Sequence, residues 1–316
     1  MKTTAGAGWL AKPVVKSRSL QTIWRYRYLY LLGLPGIVYF IFFKYVPMYG
    51  ILIAFQDYTP IKGVLESDWV GLEHFRRLFD DPDFSIIFRN TLIISLLHVL
   101  VQFPAPILLA LLLNEVRWQA YKRSIQTMIY FPHFLSWVIV VSITYLMTSS
   151  EYGLINKAIE ALGGERISFL LENKYFYGIV TVQGIWKDIG WGTIIYLAAI
   201  AGVNPSLYEA ARLDGAGHFA QIRHVTIPSI MPTIIILFIL GLGSAMEVNF
   251  EQLWLMQNPL VMKVAEVFDT YVYKTGIRSG EYSYSTAAGL FKSVIGVVLV
   301  VAANRIANKK GHEGIW

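Results

Sequence analysis

The clearest candidates for chemistry in this chain are Lys187 and Asp188 in the stretch GIWKDIGW, with Trp186 and Trp191 beside them. They fall in the middle of a long apolar run, where an ionisable side chain costs ~2.5–3.5 kcal/mol on insertion scales and therefore faces a cavity or a partner. Aromatic rings next to hydrogen-bonding groups suit a sugar, because pyranose faces stack on rings while hydroxyls need donors and acceptors. Gln183, Trp186, Lys187, Asp188, Trp191 and Asn249 are thus candidate lining for a substrate pathway. The plainer alternative is a Lys–Asp pair, or two separate pairs with neighbouring helices, that only fixes packing. His133, and His98 with Gln102, read more simply as buried hydrogen-bonding groups. Glu247, Asn249 and Glu251 approach the end of the next apolar run, where a carboxylate either gates a pathway or is merely solvated.

Catalysis finds no support. The six histidines (His74, His98, His133, His218, His224 and His312) show no metal-ligand spacing, and no Ser-His-Asp set can be argued. The absence of cysteine excludes disulfides, thiol chemistry and cysteine-bound metal. No G-x-x-x-x-G-K-[ST] occurs, and AAGLFKS at 287–293 has the wrong spacing, so the chain cannot cradle nucleotide phosphates. The expectation is a non-enzymatic protein with no metal and no cofactor of its own.

The elements that position these residues are membrane spans. With 55% hydrophobic and 15% charged residues, the 316-residue chain is too apolar for a soluble surface. Apolar runs long enough to cross a bilayer recur at about 28–53, 88–113, 122–147, 176–202, 229–250 and 287–306. The net charge of +6 is spread over termini and short turns, a pattern of membrane topology rather than of nucleic-acid binding. Lys2, Lys12, Lys16, Arg18, Arg25 and Arg27 precede the first run, Arg117, Lys122 and Arg123 fill the turn near 114–124, and Arg305, Lys309 and Lys310 end the chain. The positive-inside rule places these segments, and both termini, in the cytoplasm. The first run is too long for a cleaved signal and reads as an uncleaved span. The resulting division is a cytoplasmic arm 1–27, a first span and outer loop 28–85, a transmembrane domain 86–306 with a polar connection at 204–228, and a cytoplasmic tail 307–316. Prolines 35, 47, 104, 106, 132 and 232 interrupt the spans, mostly as packing kinks and otherwise along a pathway.

The connection between spans four and five carries YEAARLDGAGHFAQIRHVTIP. Asn204 and Pro205 form a strong helix start, and Gly215 supplies the left-handed residue that stops it. A second short helix at about 217–226 follows, with Pro228 marking re-entry into lipid. A helix of two to three turns is marginal alone, so it needs a partner.

That loop resembles the EAA motif of bacterial ATP-binding-cassette importer permeases, with Glu209, Ala210, Ala211, Gly215, Val225, Ile227 and Pro228 at the motif positions. FQDYTPIKG, LALLLNEV, YFPHFLSWVIV, IWKDIGWGTIIYLAAI and YSYSTAAGLFKSVIG are similar to the polysaccharide-type, lipoprotein-associated branch of sugar-importer permeases. The resemblance implies an all-α membrane protein of six transmembrane helices with the type I importer fold and a cytoplasmic coupling helix. It also implies the partners: a second homologous six-span permease, two cytoplasmic ATPases that hold ATP and magnesium, an extracytoplasmic solute-binding protein, and lipid. Carried over by position, Glu209 contacts the ATPase, Ala210 and Ala211 pack closely, Gly215 turns the chain, and Leu213 and Asp214 complete the coupling surface. The chain would then sit in the bacterial cytoplasmic membrane and import oligosaccharides by alternating access. An intramembrane lysine would suit those bearing uronic acids. The rival reading is an ion-coupled secondary carrier using Lys187 and Asp188.

Overall fold

Hydrocarbon offers no partner to a free peptide group, so the apolar runs are helical. The computed structural model describes residues 24–311 and 314–315. Most of the arm 1–27, and His312, Glu313 and Trp316 of the tail, lie outside the described residues. Among the described residues, four helices are long and apolar enough to cross a membrane: α1 (Arg27–Phe55), α3 (Phe84–Glu115), α9 (His218–Gly243) and α13 (Tyr282–Lys309). Two bent pairs bring the number to six: α4 (Gln119–Phe134) with α5 (Trp137–Thr148), and α7 (Asn173–Ala201) with α8 (Pro205–Leu213). Between them lie α2 (Glu73–Asp80), α6 (Leu154–Ala161), α10 (Phe250–Met256), α11 (Met262–Ala265) and α12 (268–278), and one hairpin pairing Gln56 with Trp69. The chain divides into two units, one ending at Leu52 and the other starting at Ile53.

Proline shapes the spans in a repeated way. A π-turn covers Ile41–Tyr45, His98–Gln102 and Ile222–Thr226, and each ends two residues before a proline: Pro47, Pro104 and Pro228. Proline lacks an N–H and its ring crowds the carbonyl four residues back; widening the preceding turn relieves that crowding without breaking the span. This corrects two expectations. Pro228 does not separate a short helix at 217–226 from span five, because α9 runs unbroken from His218. Span five also stops at Gly243, not at 250, so Glu247 and Asn249 lie beyond it in a non-helical turn. Asn249 there caps α10 by accepting from Gln252 N at 3.1 Å.

The third span is not a continuous helix over 122–147. It bends by 105° at Leu135–Ser136. Pro132 sits in a tight 3₁₀ turn, Phe131–Phe134, and Ser136 starts the next helix by accepting from Ile139 N at 3.4 Å.

The hub is α7, which packs against α3, α4, α5 and α9. Glycines permit the approach: a Cβ on Gly190 would lie 2.0 Å from the Ile129 carbonyl oxygen, and one on Gly192 would lie 2.9 Å from the Pro106 ring. Two apolar cores form at its two ends. Phe176 and Val180 pack with Ile94, Val141, Val248 and Leu253 at one end, and Tyr196 and Ile200 pack with Ala110, Leu111 and Ile230 at the other. Roughly 24 Å of helix separates Val180 from Tyr196 at 1.5 Å per residue. Gln183, Lys187 and Asp188 of α7 fall between these cores.

At the Phe176 end, Tyr271 and Tyr284 both donate to Asp81 Oδ2, at 2.5 and 2.9 Å, tying the α2–α3 loop to α12 and α13. Burial alone raises the Asp81 pKa, but these bonds and one from Asp83 N outweigh it and hold the carboxyl below its ordinary 3.8. A lowered carboxyl pKa adds stability that is complete above that ordinary value and is lost as pH falls through the lowered one. Acid unfolding followed by circular dichroism should therefore lose a component below pH 3.8 that Asp81→Asn removes.

Gly190→Ala should destabilise by ~1–3 kcal/mol or more, because backbone at Ile129 cannot retreat as a side chain would. Gly178→Ala, whose Cβ meets nothing within 4 Å, should instead stabilise by ~1 kcal/mol. Thermal melts of the two detergent-purified variants test the pair.

Candidate functional site

The break between α4 and α5 frees carbonyls in the span, and Lys187 answers them. Its Nζ donates to His133 O at 2.8 Å and to Leu135 O, and it lies 5.5 Å from the centroid of the Trp137 ring. The ammonium thereby takes the place of the missing amide donors at a helix end, where the carbonyl dipoles also favour a cation. Lys187 is buried. The adjacent Asp188 does not pair with it. Asp188 Oδ1 is 2.9 Å from His133 Nδ1, and the His133 ring stacks on Trp191 with centroids 4.6 Å apart. Of the alternatives open from sequence, two separate contacts with a neighbouring element describe the geometry.

A small polar cavity of about 200 Å³ opens beside this junction. Asp188, His98, Gln102, Trp137, Glu247 and Asn249 line it. The π-turn at His98–Gln102 places both side chains on its wall, with His98 Nδ1 2.9 Å from Gln102 Oε1. Gly184 makes room, since a Cβ there would lie 2.7 Å from the Gln102 amide nitrogen. Turns of this kind recur at functional sites because they re-aim side chains out of helical register.

The other pathway candidates scatter. Gln183 is buried and satisfied: it donates to Thr144 Oγ1 at 2.7 Å and accepts from Gln252 at 2.9 Å, binding α5, α7 and α10 together. Trp186 lines a different, apolar cleft of about 570 Å³ between α5 and α7. Trp191 stands behind His133. Asp188 and Asn249 are the two candidates on the cavity wall, joined by His98, Gln102 and Trp137. The sequence signal for the first two is a polar i, i+4 pair just ahead of Pro104, which periodicity alone assigns to packing.

The cavity wall carries two carboxylates, Asp188 and Glu247, and neither lysine nor arginine. Lys187 is committed to backbone oxygens. It does not supply a cation to this space.

The connection after α7 forms the second candidate surface. Asn204 accepts from Ser206 N at 3.0 Å, and Pro205 opens α8. The helix ends in a Schellman motif: Gly215, at φ +80°, donates to Arg212 O at 3.0 Å, and Ala216 donates to Ala211 O at 2.9 Å. Both ends are thus fully capped although α8 has only 9 residues and none is buried. Tyr208 OH and Thr226 Oγ1, 3.0 Å apart, lock α8 to the start of α9. Glu209, Ala210, Leu213, Asp214 and Gly215 are exposed, and Ala211 is half-buried. Leu213 and nearby Phe219 expose 90% and 76% of their surface, more apolar area than a free end of a membrane protein needs to show.

The family of binding-protein-dependent transport system inner membrane components matches residues 102–311. The polygalacturonan/rhamnogalacturonan transport system permease protein YteP of Bacillus subtilis (strain 168) is 52% identical over 301 residues, covering 95% of this chain and 94% of the relative. LplB of the same organism is 52% identical over 315 residues, covering 99% and 96%. Among solved structures, a chain of a bacterial alginate ABC transporter in complex with an alginate pentasaccharide-bound periplasmic protein superposes with a TM-score of 0.87 at 38% identity, covering 95% of this chain and 100% of that one.

Lys187→Met should strand two carbonyls at the α4–α5 break, at ~1–3 kcal/mol for each buried group left unpaired. Asp188→Asn, at a half-exposed carboxylate, should leave the melting temperature nearly unchanged and reduce uptake. Melting curves and transport assays on the two variants separate the roles of these adjacent residues.

Proposed function

Because the chain belongs to the family of binding-protein-dependent transport system inner membrane components, as a polysaccharide-type permease of the ATP-binding-cassette class, we propose that α8 is the element through which ATPase partners drive it. The observation that carries this reading is a short helix capped at both ends, buried nowhere and tied to two spans at once. It continues from α7 through a 70° bend and is bonded to the root of α9. A push on α8 is therefore delivered to α7, which lines the polar cavity, and to α9, whose far end runs into the 244–249 turn on the cavity wall. Glu209 is the polar contact with the ATPase, Ala210 and Ala211 let the surfaces close, and Leu213 seats in the partner.

In this reading ATP and magnesium stay in the two ATPases, α8 and both termini face the cytoplasm, and a second six-span permease completes the pathway. The basic residues at the α8 end of the bundle support that orientation. Closure of the ATPases moves α8 as a rigid body, and alternating access follows because the two states differ in their contacts with the partner. An ion-coupled carrier built on Lys187 and Asp188 does not fit the family, and the two side chains are not partnered with each other.

The cargo in this proposal is a uronic-acid oligosaccharide. The names of the relatives, polygalacturonan/rhamnogalacturonan and alginate, support the class. The cavity contributes hydrogen-bonding groups and the Trp137 ring for hydroxyls and sugar faces, not positive charge.

Glu209→Lys should cut uptake ~tenfold or more through a charge clash at the docking cleft, with the amount of protein in the membrane unchanged. Gly215→Val should do the same by straining the left-handed residue at about 1–2 kcal/mol. ATP-dependent uptake into proteoliposomes of the complete transporter is the measurement, and wild-type rates in both variants would remove the lever.

A further inference from the structure

A carrier of acidic sugars whose cavity wall shows only carboxylates must meet the substrate's charge elsewhere. Arg278, at the bundle end opposite α8, is a cation suited to this. Lys274 is neutralised by Glu266 at 2.5 Å and Lys292 by Asp269, whereas Arg278 forms no ion pair among the described residues. Its guanidinium is instead held over aromatic rings, 4.8 Å from the Trp254 centroid and 5.9 Å from that of Tyr273. Trp254 and Tyr273 form a cluster with Phe250 at centroid distances of 4.9 to 5.6 Å.

Phe250 and Tyr273 also wall a cleft of about 680 Å³, together with Tyr58 and Tyr282. That volume lies in the range of small-ligand sites. Asp269 lines the cleft too, with its Oδ1 paired to Lys292. Ser285 adds a hydroxyl on the same wall. The cleft and the cavity adjoin at the start of α10, where Asn249 lines the cavity and Phe250 the cleft.

We propose that this cleft, with Arg278 beside the Tyr273 ring of its wall, is a receiving station in which a uronic-acid residue is held by its sugar face and its carboxylate before it enters the cavity. The inference rests on the acidic-oligosaccharide reading above. Rings at Phe250 and Tyr273 stack on the pyranose, Ser285 offers its hydroxyl, and Arg278 takes the carboxylate through the planar fork that suits it. Selection for negative charge then happens ahead of the cavity, and the anionic cavity wall serves release rather than capture.

The test uses the complete transporter in nanodiscs without its binding protein, with trigalacturonate and its methyl ester as probes in calorimetric titrations. Wild type should bind the acid about tenfold more tightly than the ester, the effect of one charged hydrogen-bonded contact. Arg278→Gln should abolish that preference by weakening binding of the acid about tenfold, to the level of the ester, with an unchanged thermal melt showing that the variant is folded; Arg278→Lys should restore part of it. Arg278→Met, which keeps an apolar stem over the rings, should behave as the glutamine variant does. Equal losses for acid and ester, or a preserved preference in the glutamine and methionine variants, would overturn the station. Uptake of trigalacturonate by the wild-type transporter with its binding protein is the separate arm. Its failure overturns the acidic-sugar reading and the station with it, whereas uptake without an Arg278-dependent preference overturns the station alone.

Discussion

The bonds from Lys187 to the His133 and Leu135 carbonyls are the constraint on which the centre of this permease depends. A span that breaks in hydrocarbon leaves peptide groups without water, and each such group must find a donor inside the protein. The lysine on α7 provides it and so permits the 105° bend between α4 and α5. That bend allows α5 to leave the line of α4. The wall of the polar cavity forms beside it, with Trp137 as the first residue of the new helix. A charge that looks expensive by itself is therefore part of a satisfied network, and the neighbouring Asp188 is left with His133 at the cavity edge.

The same logic explains why the cavity lies where it does. α7 has apolar cores at Phe176–Val180 and at Tyr196–Ile200, and Gln183, Lys187 and Asp188 fall between them. Lipid cannot fill a space lined by Asp188, Gln102 and Asn249, but a hydroxyl-rich ligand or water can. Gly184 and Gly190 bring α3 and α4 close enough to close that space from the sides. The end that carries α8 is linked to this layer through α7 itself, since α8 follows it after Gly202, Val203 and Asn204. Motion of the exposed helix and geometry of the cavity are thus properties of one continuous element.

Charge is divided in an unexpected way. Carboxylates line the cavity, Lys187 is occupied by carbonyls and Lys292 by Asp269, and Arg278 lies over aromatic rings beside a different cleft. Transport requires that a ligand be held firmly enough to enter and weakly enough to leave. In the proposed route, attraction acts at Arg278, and the cavity beyond it, with no lysine or arginine on its wall, does not trap an anionic ligand.

Much of this could be read from residue order alone. The six apolar runs, the Asn204–Pro205 start, the Gly215 stop and the motif around Glu209 depend on local chemistry: lipid solubility, capping and backbone freedom act within a few residues of one another. Asp188 and Asn249 were also legible as costly or misplaced polar groups. Order alone did not show that Lys187 serves a broken span, that Pro228 is absorbed by a π-turn in α9, or that Gln183 is consumed by Thr144 and Gln252. Nor did it separate Trp137 and Gln102 from ordinary packing residues. Those outcomes depend on which carbonyl, amide or ring arrives from another helix, and in a membrane, where polar partners are scarce, that meeting is decided only when the helices pack.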